Sequence, residues 1–160
     1  MNMPCRDRFC VTTCLSSAQV INTLNAFVHT RPSFWRWGDP MGKPFCGTVG
    51  PARFCISPVV SYRNSFVPVL TGTIGGGGDC TLITVDMGLA APVRVFLGIW
   101  LALCAGPFLA AAAQWPVRGF RPVDLIPLGM LAFGFGLAAL GWYLEAGKAK
   151  KRFLGLFPPA

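Results

Sequence analysis

VFLGIWLALCAGPFLAAAA, from Val95 to Ala113, and LIPLGMLAFGFGLAALGWYL, from Leu125 to Leu144, decide the architecture of this chain. Neither stretch holds an Asp, Glu, Lys, Arg or His. About twenty apolar residues in a helix match the roughly 30 Å hydrocarbon layer of a bilayer, so each length suits one crossing. Leu, Ile, Phe and Val each favour insertion by about 0.3–0.6 kcal/mol. Two buried helices of a soluble core are the plainer reading. A chain of 160 residues has no interior able to hide both, and neither stretch carries a polar stripe. We therefore expect two spans, at about 93–113 and 125–144.

The rest of the composition agrees. Only 12% of the residues are charged, against about a quarter in a soluble domain, and 53% are hydrophobic. Fourteen Lys and Arg stand against six Asp and Glu, a net charge of +8. Between the spans, Gln114–Asp124 with Pro116 and Pro122 is short enough to make an antiparallel hairpin. Trp115 at one end, and Trp142 with Tyr143 at the other, fit the aromatic belts of a bilayer. Arg94, Lys148, Lys150, Lys151 and Arg152 flank the outer ends, against Arg118 and Arg121 in the connection. Five cations against two place both termini in the cytoplasm of a bacterial inner (plasma) membrane. The first thirty residues hold no continuous apolar core, so no secretory leader is expected and the N-terminal part stays cytosolic.

Small residues suggest how the spans pack. Gly98, Ala102, Gly106 and Ala110 recur every four residues as a ladder on one face of the first span, and the second span offers Gly134, Ala138 and Gly141. Such faces let helix backbones approach closely in lipid. They serve the hairpin itself, a homodimer, or both. Pro107 falls inside the first span, where it removes a helical hydrogen bond.

Residues 1–90 read as a small cytosolic α+β domain. Arg8–Thr13 reads as a strand. Ser16-Ser17-Ala18-Gln19 is a capping box, opening a helix with Ala18, Ile21, Leu24, Asn25 and Val28 on one face and an end near Thr30. Pro44–Val49, Phe54–Tyr62, Phe66–Ile74 and Thr81–Met87 then read as a four-strand antiparallel meander. Turns are expected at Gly50-Pro51, around Arg63-Asn64-Ser65, and at Gly75–Gly78 with Asp79. The inward face would hold Phe45, Val49, Phe54, Ile56, Val67, Val69 and Val85. Pro58 and Pro68 fit only at edges or bulges. Residues 145–160 read as a basic amphipathic tail, with Phe153, Leu154 and Phe157 either lying on lipid or docking back onto the sheet.

Chemistry-bearing residues are scattered. Cys5, Cys10 and Cys14 match no zinc spacing, and His29 stands alone, so no metal and no cofactor are expected. Cys46 and Cys55 flank the Gly50-Pro51 turn, but its length sets them out of direct opposition. The four glycines at 75–78 lack the Gly-Lys-Ser/Thr of a phosphate loop. No catalytic set is present, which points to a binding module rather than an enzyme. A thiol or metal enzyme using Cys46 and Cys55, and a small channel or transporter subunit, are the competing classes. Candidate contacts are Trp35, Arg36 and Trp37, where arginine and aromatics interleave, and the tail cations Lys148, Lys150, Lys151 and Arg152. Interleaved Arg and Trp suit headgroups, plain packing over the sheet end, or base stacking; the membrane tether leaves no nucleic-acid partner expected. Membrane lipid and a partner protein are the expected ligands.

Lys43-Pro44-Phe45-x-Gly47-x-Val49 and Tyr62-Arg63-Asn64-Ser65-Phe66-x-Pro68-Val69 carry one further signal. With Glu145-Ala146-x-Lys148-x-Lys150-x-x-Phe153-Leu154, they resemble a family of small uncharacterised bacterial membrane proteins. The likeness covers roughly residues 15–157. Where that family has a basic residue and His-Pro before the first span, this chain has Gly88 and Ala91-Pro92. The resemblance implies the same two-part architecture and leaves the function open. Tyr62, Arg63 and Asn64 join the candidate contacts, because Arg and Asn at a strand bend donate hydrogen bonds to carbonyls or to an outside anion.

Overall fold

The computed structural model describes residues 5–30, 42–61, 64–77 and 80–157. Strand β1 (Arg6–Thr13) comes first, with Val11 and Thr13 turned inward and Arg6, Arg8, Cys10 and Thr12 turned out. Helix α1 (Ser17–Phe27) opens on the expected capping box: Ser16 Oγ accepts from the Gln19 N–H, and Gln19 Oε1 accepts from the Ser16 N–H at 2.8 Å. Its buried side is Val20 and Leu24, not Ala18 and Asn25, which face solvent. The helix ends at Phe27, earlier than expected, because buried Val28 turns extended to form β2 (Val28–His29) beside the next strand. Lys43 closes that end by donating to the carbonyls of Asn25 (3.0 Å) and Val28 (3.2 Å).

The meander follows as β3 (Phe45–Val49), β4 (Arg53–Pro58), β5 (Pro68–Gly77) and β6 (Cys80–Leu89). The fold is α+β, but the sheet is larger than the meander: six strands in the order β1-β6-β5-β4-β3-β2. β1 pairs antiparallel with β6 over its whole length, and β2 pairs parallel with β3. The Gly50-Pro51 turn is present, tied by the Gly50 N–H to the Arg53 carbonyl at 2.8 Å. The turn expected over Gly75–Gly78 and Asp79 is narrower: Gly75, Gly76 and Gly77 continue β5, paired with Leu82, Thr81 and Cys80, and residues 78–79 lie outside the described residues. Pro58 ends one strand and Pro68 begins the next, the positions a proline tolerates.

Phe45, Phe54, Ile56 and Val85 are buried on the inner face, with Val49 partly so. Val69 points the other way, and Val67 precedes the strand. The register Leu70↔Met87 and Ile74↔Ile83 puts the even residues of β5 inward, with Gly72 between Leu70 and Ile74. That glycine is required: a Cβ there would stand 2.2 Å from the Phe54 ring.

After Ala90 the chain enters α2 (Ala91–Ala113, 23 residues), then a one-turn α3 (Trp115–Arg118) and a 3₁₀ turn (Pro122–Leu125). The last element is α4 (Ile126–Leu154, 29 residues). At 1.5 Å per residue α2 is about 35 Å long. α2 and α4 are both long and apolar enough to cross a membrane, and little of either apolar stretch is buried in the protein. Val95, Phe96, Ile99, Leu103, Phe133 and Leu140 all face outward.

α4 departs most from expectation. Residues 145–154 continue the second long helix without a break, where a separate tail had been expected. Trp142, Glu145, Ala146, Ala149 and Phe153 bury one side of those turns, and Phe153 reaches Phe9, Phe45 and Phe54 of the sheet. Phe153 and Phe157 therefore dock on the sheet, while Leu154 stays exposed. α1 and this half of α4 together cover the inner face, giving one continuous core.

The small residues divide between two surroundings. Gly134 receives Trp100 of α2, whose Nε1 lies 2.6 Å from where a Cβ would be, and Ala138 is buried. Gly141 contacts Phe66 of the β4–β5 connection. Gly98, Ala102 and Gly106 do not pack the hairpin: Ala102 is exposed, and nothing lies near either glycine. Trp100 and the small, buried Cys104 take the inward side of α2, which turns the ladder outward.

Candidate functional site

Because α1 and α4 close one face of the sheet, the other face is open. Its residues alternate with the core: Arg6, Arg8 and Cys10 from β1, Thr84 and Asp86 from β6, Thr71 and Thr73 from β5, Arg53 and Cys55 from β4, Thr48 from β3. Most of these line one shallow concavity, with Arg8 at one side and Arg53 at the other. The register carries a polar row across five strands: Arg8, Asp86, Thr71, Cys55, Thr48.

Asp86 organises the end of the row nearest α2. Arg6 donates to it through Nε (2.8 Å to Oδ1) and through Nη2 to Oδ2, and Arg8 Nη2 donates to Oδ2 at 3.0 Å. The Arg6 hydrogen bond, helped by that from Arg8, holds the Asp86 carboxyl down at about 2. A depressed carboxylate stabilises the fold above its ordinary pKa near ~3.9 and loses that stabilisation as pH falls toward about 2. The arginine side chains are 50% and 66% exposed, so the contribution should be about 1 kcal/mol or less. Thermal melts should show the parent more stable than Asp86→Asn at neutral pH, the gap closing on acidification from about pH 4 to pH 2. A constant gap would show that Asp86 does not carry it.

The open face joins the helices at this same corner. β6 runs through Leu89 and Ala90 directly into α2, and Arg6 pairs with Gly88. Arg94 is exposed in the first turn of α2. On α4, Lys148, Lys151 and Arg152 are exposed just beyond the apolar stretch. These cations flank the two apolar stretches along the chain, whereas Arg6 and Arg8 stay paired with Asp86 on the open face.

The expected contact residues have different fates. Lys148 donates to buried Glu145 at 3.0 Å. Lys150 donates to Asp7 at 2.8 Å and lies 4.8 Å from the centre of the Phe9 ring, tying α4 to β1. Asn64 works inside the fold: its side-chain oxygen accepts from the Phe66 N–H at 2.9 Å, and its amide donates to the Gly141 carbonyl at 3.3 Å. Trp35, Arg36, Trp37, Tyr62 and Arg63 lie outside the described residues. Arg6, Arg8, Arg53 and Asp86 were missed. Alternation of charged and apolar residues in Arg6–Thr13 was the available signal, but their grouping needs the β1–β6 pairing.

The cysteines do not assemble. Cys46 is opposite Ser57 and Cys55 opposite Thr48, so the two are diagonal neighbours rather than a facing pair. Cys5 is buried and its thiol is pushed up by that burial, away from a reactive thiolate. Among the described residues no three His, Cys, Asp or Glu side chains are grouped to hold a metal. Compared with protein-family models, curated proteins and solved structures, the chain matches none, so the site stands on these residues alone.

Proposed function

We propose that this chain is a two-span integral protein of the bacterial inner membrane, with both termini cytoplasmic. In this reading it is a non-enzymatic binding module whose sheet domain is held against anionic lipid headgroups. One observation carries the reading: α4 is a single helix whose first half shows apolar side chains to its surroundings and whose second half is built into the sheet's core. An apolar surface that large, continuous around two helices, is stable only in lipid or under a partner. A rigid helix then fixes the distance between bilayer and sheet. Arg94, Lys148, Lys151 and Arg152, which flank the apolar stretches along the chain, then come to headgroup depth, where each cation contributes on the order of 1 kcal/mol against anionic lipid. The open face, with three arginines against one carboxylate, is the surface left for an acidic partner protein.

The test is native mass spectrometry of the full chain released from vesicles of mixed phosphatidylcholine and phosphatidylglycerol. Retained phosphatidylglycerol should exceed phosphatidylcholine. The triple variant Arg94→Ala, Lys151→Ala, Arg152→Ala should lose roughly 3 kcal/mol, about a hundredfold in affinity. Equal retention of both lipids, or an unchanged triple variant, would end the headgroup reading. Release of the chain by an alkaline carbonate wash would end the two-span reading itself.

A further inference from the structure

The turn joining the two long helices, Gln114–Leu125, is built unlike a loop meant for water. Its one carboxylate, Asp124, is only 6% exposed and is satisfied from within. It accepts from Trp115 Nε1 at 3.0 Å, from Arg118 Nη2 at 2.9 Å and from the Arg121 backbone N–H at 3.1 Å. The Trp115 ring meets Phe108 and Phe120 edge to face, at 6.1 and 5.5 Å between centres. These contacts clasp α3 and the 3₁₀ turn into one compact unit.

Outside the clasp the surface is apolar. Val117 is 93% exposed, Val123 59% and Phe120 55%. Arg118 is turned inward on Asp124, which leaves Arg121 as the exposed charge of the turn. Large exposed apolar patches mark protein or membrane interaction sites. Here the exposed apolar residues continue into Leu109 of α2 and Ile126 of α4, with Gln114 and Arg121 as the exposed polar side chains of the turn. A single cation set in an apolar, aromatic surface is the pattern of a residue at the headgroup boundary.

We infer that this turn is an interfacial anchor seated in the far leaflet of the bilayer. Val117, Phe120 and Val123 lie at the acyl border and Arg121 meets the phosphates. The turn then offers no aqueous loop on the far side, and recognition is confined to the sheet side. The inference rests on the two-span reading above.

The experiment places the photo-crosslinking residue p-benzoylphenylalanine at Val117, at Leu103 on the outer side of α2, or at Arg53 on the open sheet face. All three positions are exposed, so the substitutions spare the core. The full chain is illuminated in vesicles of phosphatidylethanolamine and phosphatidylglycerol, and phospholipid adducts are read by mass. The expected result is a lipid adduct at Val117 comparable to that at Leu103, and none at Arg53. A Leu103 adduct with no lipid on Val117, or with Val117 joined to a second chain, overturns the anchor while leaving the spans intact. No adduct at Leu103 overturns the spans and the anchor together.

Discussion

Phe153→Ala is expected to destabilise the chain by about 3–5 kcal/mol, the range for emptying a fully enclosed aromatic site. Phe153 is fully buried, with ring centres 5.6 Å from Phe54, 6.0 Å from Phe9, 6.4 Å from Phe45 and 5.4 Å from Phe157. These partners come from three strands and the turn that follows α4, so the cavity opens where helix and sheet meet. The sheet cannot collapse onto it without moving a helix that also carries one of the long apolar stretches. The consequence reaches past stability. Thermal melts in detergent should show a large drop, and limited proteolysis should release fragments of residues 5–89 from the helices. Phe153→Leu should recover part of the loss by refilling volume. A melting midpoint equal to the parent's would show that α4 does not close this core.

Gly47→Ala should be nearly as damaging, for a backbone reason. Gly47 has φ +153°, and a Cβ there would stand 2.1 Å from the Cys55 carbonyl oxygen and 2.8 Å from the Ile56 Cα. These are main-chain atoms of the partner strand, where Gly47 pairs with Ile56, so no rotamer change relieves the clash. Backbone strain of this kind costs on the order of 1–3 kcal/mol before any loss of strand pairing is added. The control is Gly98→Ala, where nothing lies within 4 Å of the added atom. It should be neutral or slightly stabilising, since Ala is the better helix former. Equal melting temperatures for the two variants would refute the close approach of β3 to β4.

Local patterns were legible where one face of an element is chemically distinct from the other. Ser16 and Gln19 announced the start of α1, because capping depends on residues within one turn. Gly50-Pro51 announced the β3–β4 turn. The even-numbered inner face of β5 was not legible: Val67 and Val69 are as apolar as Leu70, and glycines blur the alternation beyond it. A one-residue shift in that assignment turns every side chain over. The candidate site suffered most. Arg6 and Arg8 stand 80 and 78 residues from Asp86, and the cations nearest to them in sequence gave no hint of that carboxylate.

Two long apolar helices, a capped short helix and a run of β-rich segments were determined by the sequence alone, since each rests on composition or on spacing within a few residues. Tertiary structure alone decided that β1 closes the sheet against β6 and that α4 carries on past Leu144 into the core. It also decided that the Gly98 ladder turns outward and that the arginines gather around Asp86. Each of these depends on which apolar surface finds which partner. That choice is made by shape and burial summed over distant segments, a quantity no local window contains.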